Sequence, residues 1–94
     1  MSIYSIWESR FPPEAVAEGV EVTQAIWRDM LGFDGYLEHE LVQDLDQPGH
    51  VFVVSRWASR EAAEAALVYR SHPNAQRVDQ LVSEPRRRTV AAAL

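Results

Sequence analysis

The chain has 94 residues, of which 47% are hydrophobic and 24% charged, with a formal net charge of -5 and no cysteine. That length and mix describe one α+β-sized globular domain, residues 1–94, and leave no disulfide framework, thiolate metal site or cysteine nucleophile. The negative charge opposes a phosphate backbone, and no apolar run approaches the roughly 20 residues that span a bilayer, so neither nucleic acid nor a membrane is expected as a partner.

From the N-terminus, MSIYSIWESR lacks the basic-then-apolar layout of a signal peptide, and the expected compartment is the cytoplasm. Within it Ile3, Tyr4, Ile6 and Trp7 make a strand with a substantial apolar load. Pro12-Pro13 ends the ladder, and Pro13 has the φ suited to a first helical turn. Glu14 to Leu31 then reads as a helix, because Val16, Val20, Thr23, Trp27 and Met30 recur at spacings of three and four. Gly32 is the expected stop. Tyr36 to Asp44 is a second strand, with Leu37 and Leu41 assigned to one side and Val42 to the other, and Gln47-Pro48-Gly49-His50 fits a type II turn.

Val51 to Val54 is β-branched and aromatic with apolar side chains on both faces, as a strand covered on each side requires. Trp57 closes it. Ser59 is placed to cap the next helix and Glu61 to meet its dipole, and this alanine-rich helix runs to about Arg70. Ser71-His72-Pro73 breaks it, a short segment with Val78, Leu81 and Val82 follows, and Arg86 to Leu94 supplies a last strand. The order strand, helix, strand, strand, helix, strand is the ferredoxin-like βαββαβ pattern: a four-stranded antiparallel sheet with helices on one face. A small domain cannot leave the other apolar face wet, so a two-fold homodimer through the sheet face is expected.

On the residues Arg56-Trp57, Ser59, Glu61-Ala62-Ala63 and Tyr69-Arg70-Ser71-His72, with Gly35-Tyr36 opening the second strand, the chain resembles the antibiotic biosynthesis monooxygenase-like domains of the dimeric α/β-barrel superfamily. The resemblance spans nearly the whole chain. It implies a pocket between sheet and helices with the strand-end tryptophan near it, a small aromatic or polyketide-like substrate, and no metal, flavin or other cofactor. A substrate that can become an electron-rich anion then passes an electron to oxygen itself, and the protein supplies a dry cavity, orientation and a proton acceptor.

The candidate residues follow from that chemistry. His39 and His72 are the candidate catalytic proton acceptors, with His72 beside a helix end where a C-terminal capping role competes. Trp57 can stack on a flat ring and offer its indole N–H, Tyr69 and Arg56 can orient a phenolate, and Trp7 joins them as a candidate wall although it leans toward a core role. His50, beside the Pro-Gly turn, is expected in solvent, and the Arg86-Arg87-Arg88 cluster as a solvated strand start or an ion-pair partner. No H-x-x-x-H, H-E-x-x-H or carboxylate cluster marks a metal site. The alternatives are a non-catalytic dimeric barrel that binds a small ligand and a haem-binding or haem-degrading protein; the latter is disfavoured because strand one offers Glu8 and Ser9 where haem-degrading members carry asparagine.

Overall fold

The computed structural model describes residues 2–94. Its centre is β3, His50–Trp57, in which Val51, Val53, Ser55 and Trp57 are buried and the residues between them only half-buried. β1 (Ile3–Arg10) pairs antiparallel with β3 on one side, Ile3 opposite Trp57 and Ile6 opposite Val54, and with β4 (Arg87–Ala92) on the other. β2 (Tyr36–Gln43) pairs with the outer edge of β3, so the sheet order is β2-β3-β1-β4. This is the ferredoxin-like arrangement expected from the element order.

Between β1 and β2 a 3-10 turn, Pro13–Ala15, leads into α1, Val16–Met30, which buries Gly19, Thr23, Ile26, Trp27 and Met30. After β3 come α2 (Arg60–Ala65), a 3-10 segment (Ala66–Ser71) and α3 (Pro73–Leu81). The single long helix read from the alanine-rich stretch is thus two pieces. Ser59 caps the first as expected, its Oγ accepting the Ala62 N–H at 3.1 Å. Ser59→Ala should cost about 1 kcal/mol, measurable as a shift in the urea midpoint at unchanged slope.

Three local expectations change. The residue with positive φ after α1 is Gly35 (+81°), not Gly32; α1 instead tightens into i→i−3 bonds, with Gly32 N–H donating to Asp29 O at 3.2 Å and Phe33 N–H to Met30 O at 3.0 Å. A bulge between Tyr36 and Glu38 re-aims β2, so Tyr36, His39 and Leu41 share the helix side while Leu37 is largely exposed. The turn at Gln47–His50 closes with His50 N–H donating to Gln47 O at 2.8 Å, but Gly49 does not take the positive φ that a type II turn needs. Glycine is required there by space: a Cβ would lie 2.2 Å from the Phe11 carbonyl oxygen.

The two sheet faces differ. On the helix side Val51, Val53 and Trp57 join Ile26, Trp27, Met30 and Val78 in the core. On the other, Ile6, Phe52 and Val54 are half-buried, and His50 is not in solvent. Its Nε2 stands 3.0 Å from Glu8 Oε1 and its Nδ1 3.3 Å from Asp44 Oδ2, with the ring packed on Phe52. No helix of the described residues is long and apolar enough to cross a membrane.

Candidate functional site

A cleft lies between the sheet and the helices. β1 presents Ser5, Trp7 and Ser9 to it at alternate positions, because successive strand side chains point to opposite faces. Val53 and Trp57 of β3 line its floor, and Thr23, Ile26, Trp27 and Met30 of α1, three and four apart, make the facing wall. Tyr69 and Arg70 of the 3-10 segment and Arg86, just before β4, complete it. The cleft encloses only about 40 Å³. Beyond it a recess of about 520 Å³ shares Trp7, Arg70 and Arg86 with the cleft and adds Asp79 and Glu84. Those three shared side chains form the boundary between an apolar inner chamber and a polar outer one.

The boundary is built from charge laid on an aromatic face. The Arg86 guanidinium lies 4.8 Å from the Trp7 ring centroid, within cation–π range, and its Nε donates to Asp79 Oδ1 at 2.7 Å. Arg88 stands 6.0 Å from the same ring, and its buried Nε has no hydrogen-bond partner. Arg70 is exposed and makes no ion pair among the described residues. The mouth of the cleft thus sets two guanidinium groups, of Arg70 and Arg86, beside two carboxylates, of Asp79 and Glu84.

Inside, most polar groups are already committed. Trp57 Nε1 donates to Ser55 Oγ at 2.9 Å, and Ser55 Oγ donates to Ser5 O at 2.9 Å. Thr23 Oγ1 donates to Gly19 O at 2.7 Å. Tyr69 Oη donates to Asp29 Oδ2 at 2.5 Å and receives Asn74 Nδ2 at 3.4 Å. The exceptions are the hydroxyls of Ser5 and Ser9: both residues are buried, at 3% and 8% exposure, and neither Oγ has a hydrogen-bond partner among the described residues. Neither is a sealed orphan, since among the described residues the one fully occluded side-chain polar atom without a partner is Arg88 Nε. The two hydroxyls open into the cleft that their residues line.

Burial, then the Asp29 carboxylate, push the Tyr69 phenol up to about 12 from an ordinary 10.0. Since the folded protein holds this proton more tightly than the unfolded chain, its stabilising contribution is complete below pH 10.0 and is lost as pH rises toward about 12. Tyrosinate absorbance should show a component ionising in that late window, and Tyr69→Phe should remove it.

Residues 2–78 match the model of the antibiotic biosynthesis monooxygenase family. The chain belongs to that family. Among solved structures it is similar to SnoaB, a cofactor-independent oxygenase from Streptomyces nogalater, at 16% identity and TM-score 0.83, covering 99% of this chain and 93% of that one. It is also similar to Rv0793 from Mycobacterium tuberculosis, at 22% identity and TM-score 0.82 over 100% and 96% of the two chains. A structure described as an antibiotic biosynthesis monooxygenase shares 15% identity at TM-score 0.86, with 98% of each chain covered. At these identities the likeness is one of fold. No curated protein matches the chain.

In this monooxygenase-family domain the structure brings together three of the residues singled out from sequence: Trp7, Trp57 and Tyr69 all line the cleft. The Trp57 indole N–H, expected as a donor to a ligand, is instead spent on Ser55. Arg56 does not reach the cleft; it projects from the other face of the sheet, where its Nε donates to Glu38 Oε1 at 3.2 Å.

The two histidines flank the cleft without lining it. His39 is on the helix side, but its ring packs 5.4 Å from that of Trp27 and its Nδ1 lies 2.5 Å from Tyr36 Oη, with burial lowering its pKa and favouring neutral imidazole. His72 stacks on Tyr69 at 4.4 Å, and its Nδ1 accepts the Asn74 N–H at 3.0 Å. It therefore caps the N-terminus of α3 rather than the C-terminus of the preceding helix. Sequence reasoning passed over Ser5, Ser9, Arg70 and Asp29. Strand alternation around Trp7 was the available signal for the serines; nothing local marks Asp29, which meets Tyr69 across 40 positions.

Proposed function

We infer that this domain is a cofactor-independent monooxygenase acting on a small aromatic or polyketide-like compound, and that it works as a homodimer joined through the open sheet face. The observation that carries the reading is the apolar, aromatic cleft of Trp7, Trp27, Trp57 and Tyr69 with guanidinium groups at its mouth. SnoaB, a cofactor-independent oxygenase of the same fold, is consistent with it.

The reaction balances without a further reductant. A substrate CH2 flanked by aromatic rings loses a proton; the anion gives one electron to O2, and the resulting radical pair joins as a C–O bond. The peroxide anion takes back the proton lost in the first step, and the hydroperoxide so formed loses water to leave a carbonyl, so one O2 is consumed and one water formed. Arg86, largely buried at the edge of the apolar cleft, rather than Arg56, stabilises the anion, and the exposed Arg70 adds a weaker, solvent-screened charge beside it. Among the residues lining the cleft there is no histidine or carboxylate. Proton departure is accordingly assigned to water in the outer recess, with His39 and His72 holding the Trp27 and Tyr69 walls in place.

Oxygen uptake on a panel of hydroxyanthrones should match substrate one to one. Arg86→Met should lower kcat/KM by about 10- to 100-fold. A rate indifferent to Arg86→Met and Trp57→Phe together would overturn the assignment. The dimer is supported by Ile6, Phe52 and Val54 on a face that no helix of the described residues covers. Phe52→Asp should leave a monomer by sedimentation, and an already monomeric native protein would defeat that part of the reading.

One observation favours a second reading, a dimeric barrel that binds an aromatic ligand without converting it: the same lack of a base among the cleft residues. Tight anaerobic binding with no oxygen uptake across the panel would select it. Haem finds no histidine in the cleft to serve as its ligand, so the haem reading receives no support from the site.

A further inference from the structure

We propose that two copies of this chain stack open face to open face with their two-fold axis along the strands, so that β2 of one lies on β4 of its partner and Glu40 of each meets the partner's Arg87. The inference rests on the reading of the open face as a dimer interface, and names the geometry of that interface. Cross-strand neighbours share a face, so Glu40, opposite Val54, and Arg87, opposite Glu8, stand with Ile6, Phe52 and Val54 on the side away from the helices. The other charged side chains that the four strands place on this face are paired within the chain: Glu38 with Arg56, Glu8 with His50, and Arg10 with Glu84. Glu40 and Arg87 are exposed and make no ion pair among the described residues.

The two charges left over have opposite signs and occupy opposite edges, since the sheet order is β2-β3-β1-β4. Three strand spacings, about 14 Å, keep them apart within one sheet. A two-fold that joins two such faces lies between the sheets, and aligned packing gives it two settings. Across the strands, it lays β2 on the partner's β2 and β4 on the partner's β4, like charge toward like, in a chain that already carries a net charge of -5. Along the strands, it lays β2 on the partner's β4. Glu40 and the partner's Arg87 then face each other across about 10 Å, two residues or about 7 Å from directly opposite, a gap that two long side chains bridge. The symmetry makes this contact twice, once on each side of Ile6, Phe52 and Val54. Complementary charges at such positions fix the register of an interface.

Sedimentation equilibrium at low salt compares the native chain with Glu40→Arg, Arg87→Glu and the variant carrying both. Each single reversal should raise the dimer Kd by about 5- to 50-fold, because both contacts of the dimer turn repulsive at once. The double reversal should return to within about threefold of native. With the axis across the strands, a single reversal only exchanges one like pair for another and leaves the Kd where it was. Single variants that dimerise as well as the native chain therefore overturn the proposal, and so does a double variant no better than the singles. Glu40→Gln and Arg87→Gln introduce no new charge and keep the test open where a reversal disturbs the fold. Each should weaken the dimer by about two- to tenfold, and a tighter dimer, the mark of repulsion relieved, overturns the proposal. A native chain that stays monomeric defeats the dimer reading and this geometry with it, whereas a native dimer indifferent to every variant defeats the geometry alone.

Discussion

Trp57→Ala is expected to remove about 3–5 kcal/mol of stability, enough to unfold much of a domain whose whole margin is of the order of 5–15 kcal/mol. Trp57 is 1% exposed, the largest of the fully buried side chains, and it sits where β3 ends and α2 is about to begin. Its ring meets Tyr36 edge-on at 5.8 Å, it pairs with both Ile3 and Tyr36 across the sheet, and its N–H satisfies Ser55. Alanine would leave a cavity bordering an existing cleft, and only partial collapse can relieve it. Urea denaturation followed by far-ultraviolet circular dichroism checks this. Trp57→Phe should lose clearly less, because most of the volume stays. A loss below about 1 kcal/mol for the alanine variant would mean that the helices close onto the sheet without it.

Gly35→Ala carries the second large effect, for two independent reasons. The backbone at Gly35 has φ +81°, a conformation that costs an L side chain about 1 kcal/mol or more. An added methyl would also lie 2.4 Å from the Ala62 Cβ, an atom with no rotamer to turn away, so α2 would have to shift off the turn. That movement would strain the bond from Ala58 N–H to Gly35 O, now 2.8 Å. The combined loss should be about 2–4 kcal/mol, conformational strain plus overpacking, read from the thermal midpoint. By contrast Gly32→Ala, which meets nothing nearer than the Asp29 oxygen at 3.7 Å, should be near neutral or mildly stabilising. The pair separates two glycines that stand three positions apart in the sequence.

The fold was legible because its signals are local and periodic. The continuous apolar run of β3, the three-and-four spacing of α1, the double proline at 12–13 and the Ser59 cap each depend on a few adjacent residues. The misassignments share one cause, that neighbours in space overrule neighbours in sequence. Leu37 leaves the expected face because a single bulge shifts the parity of β2. Gly49 is needed for the Phe11 carbonyl rather than for its own φ, and His50 is taken out of solvent by Glu8, 42 positions away.

The same division runs through the site. Composition and pattern alone determined one small α+β domain and an apolar sheet with two faces to cover; a strand-end tryptophan bordering the space between sheet and helices was what the family resemblance implied. Only the tertiary structure decided which polar groups meet there. Register sends Arg56 to the opposite face, α1 shields His39 behind Trp27, and the entry to β4 lays Arg86 over Trp7. Hydrogen-bond satisfaction is likewise a property of the assembled chain. It commits the Trp57 N–H and the Tyr69 hydroxyl to protein partners and leaves Ser5 and Ser9 open, and such bookkeeping closes only when every long-range partner is in place.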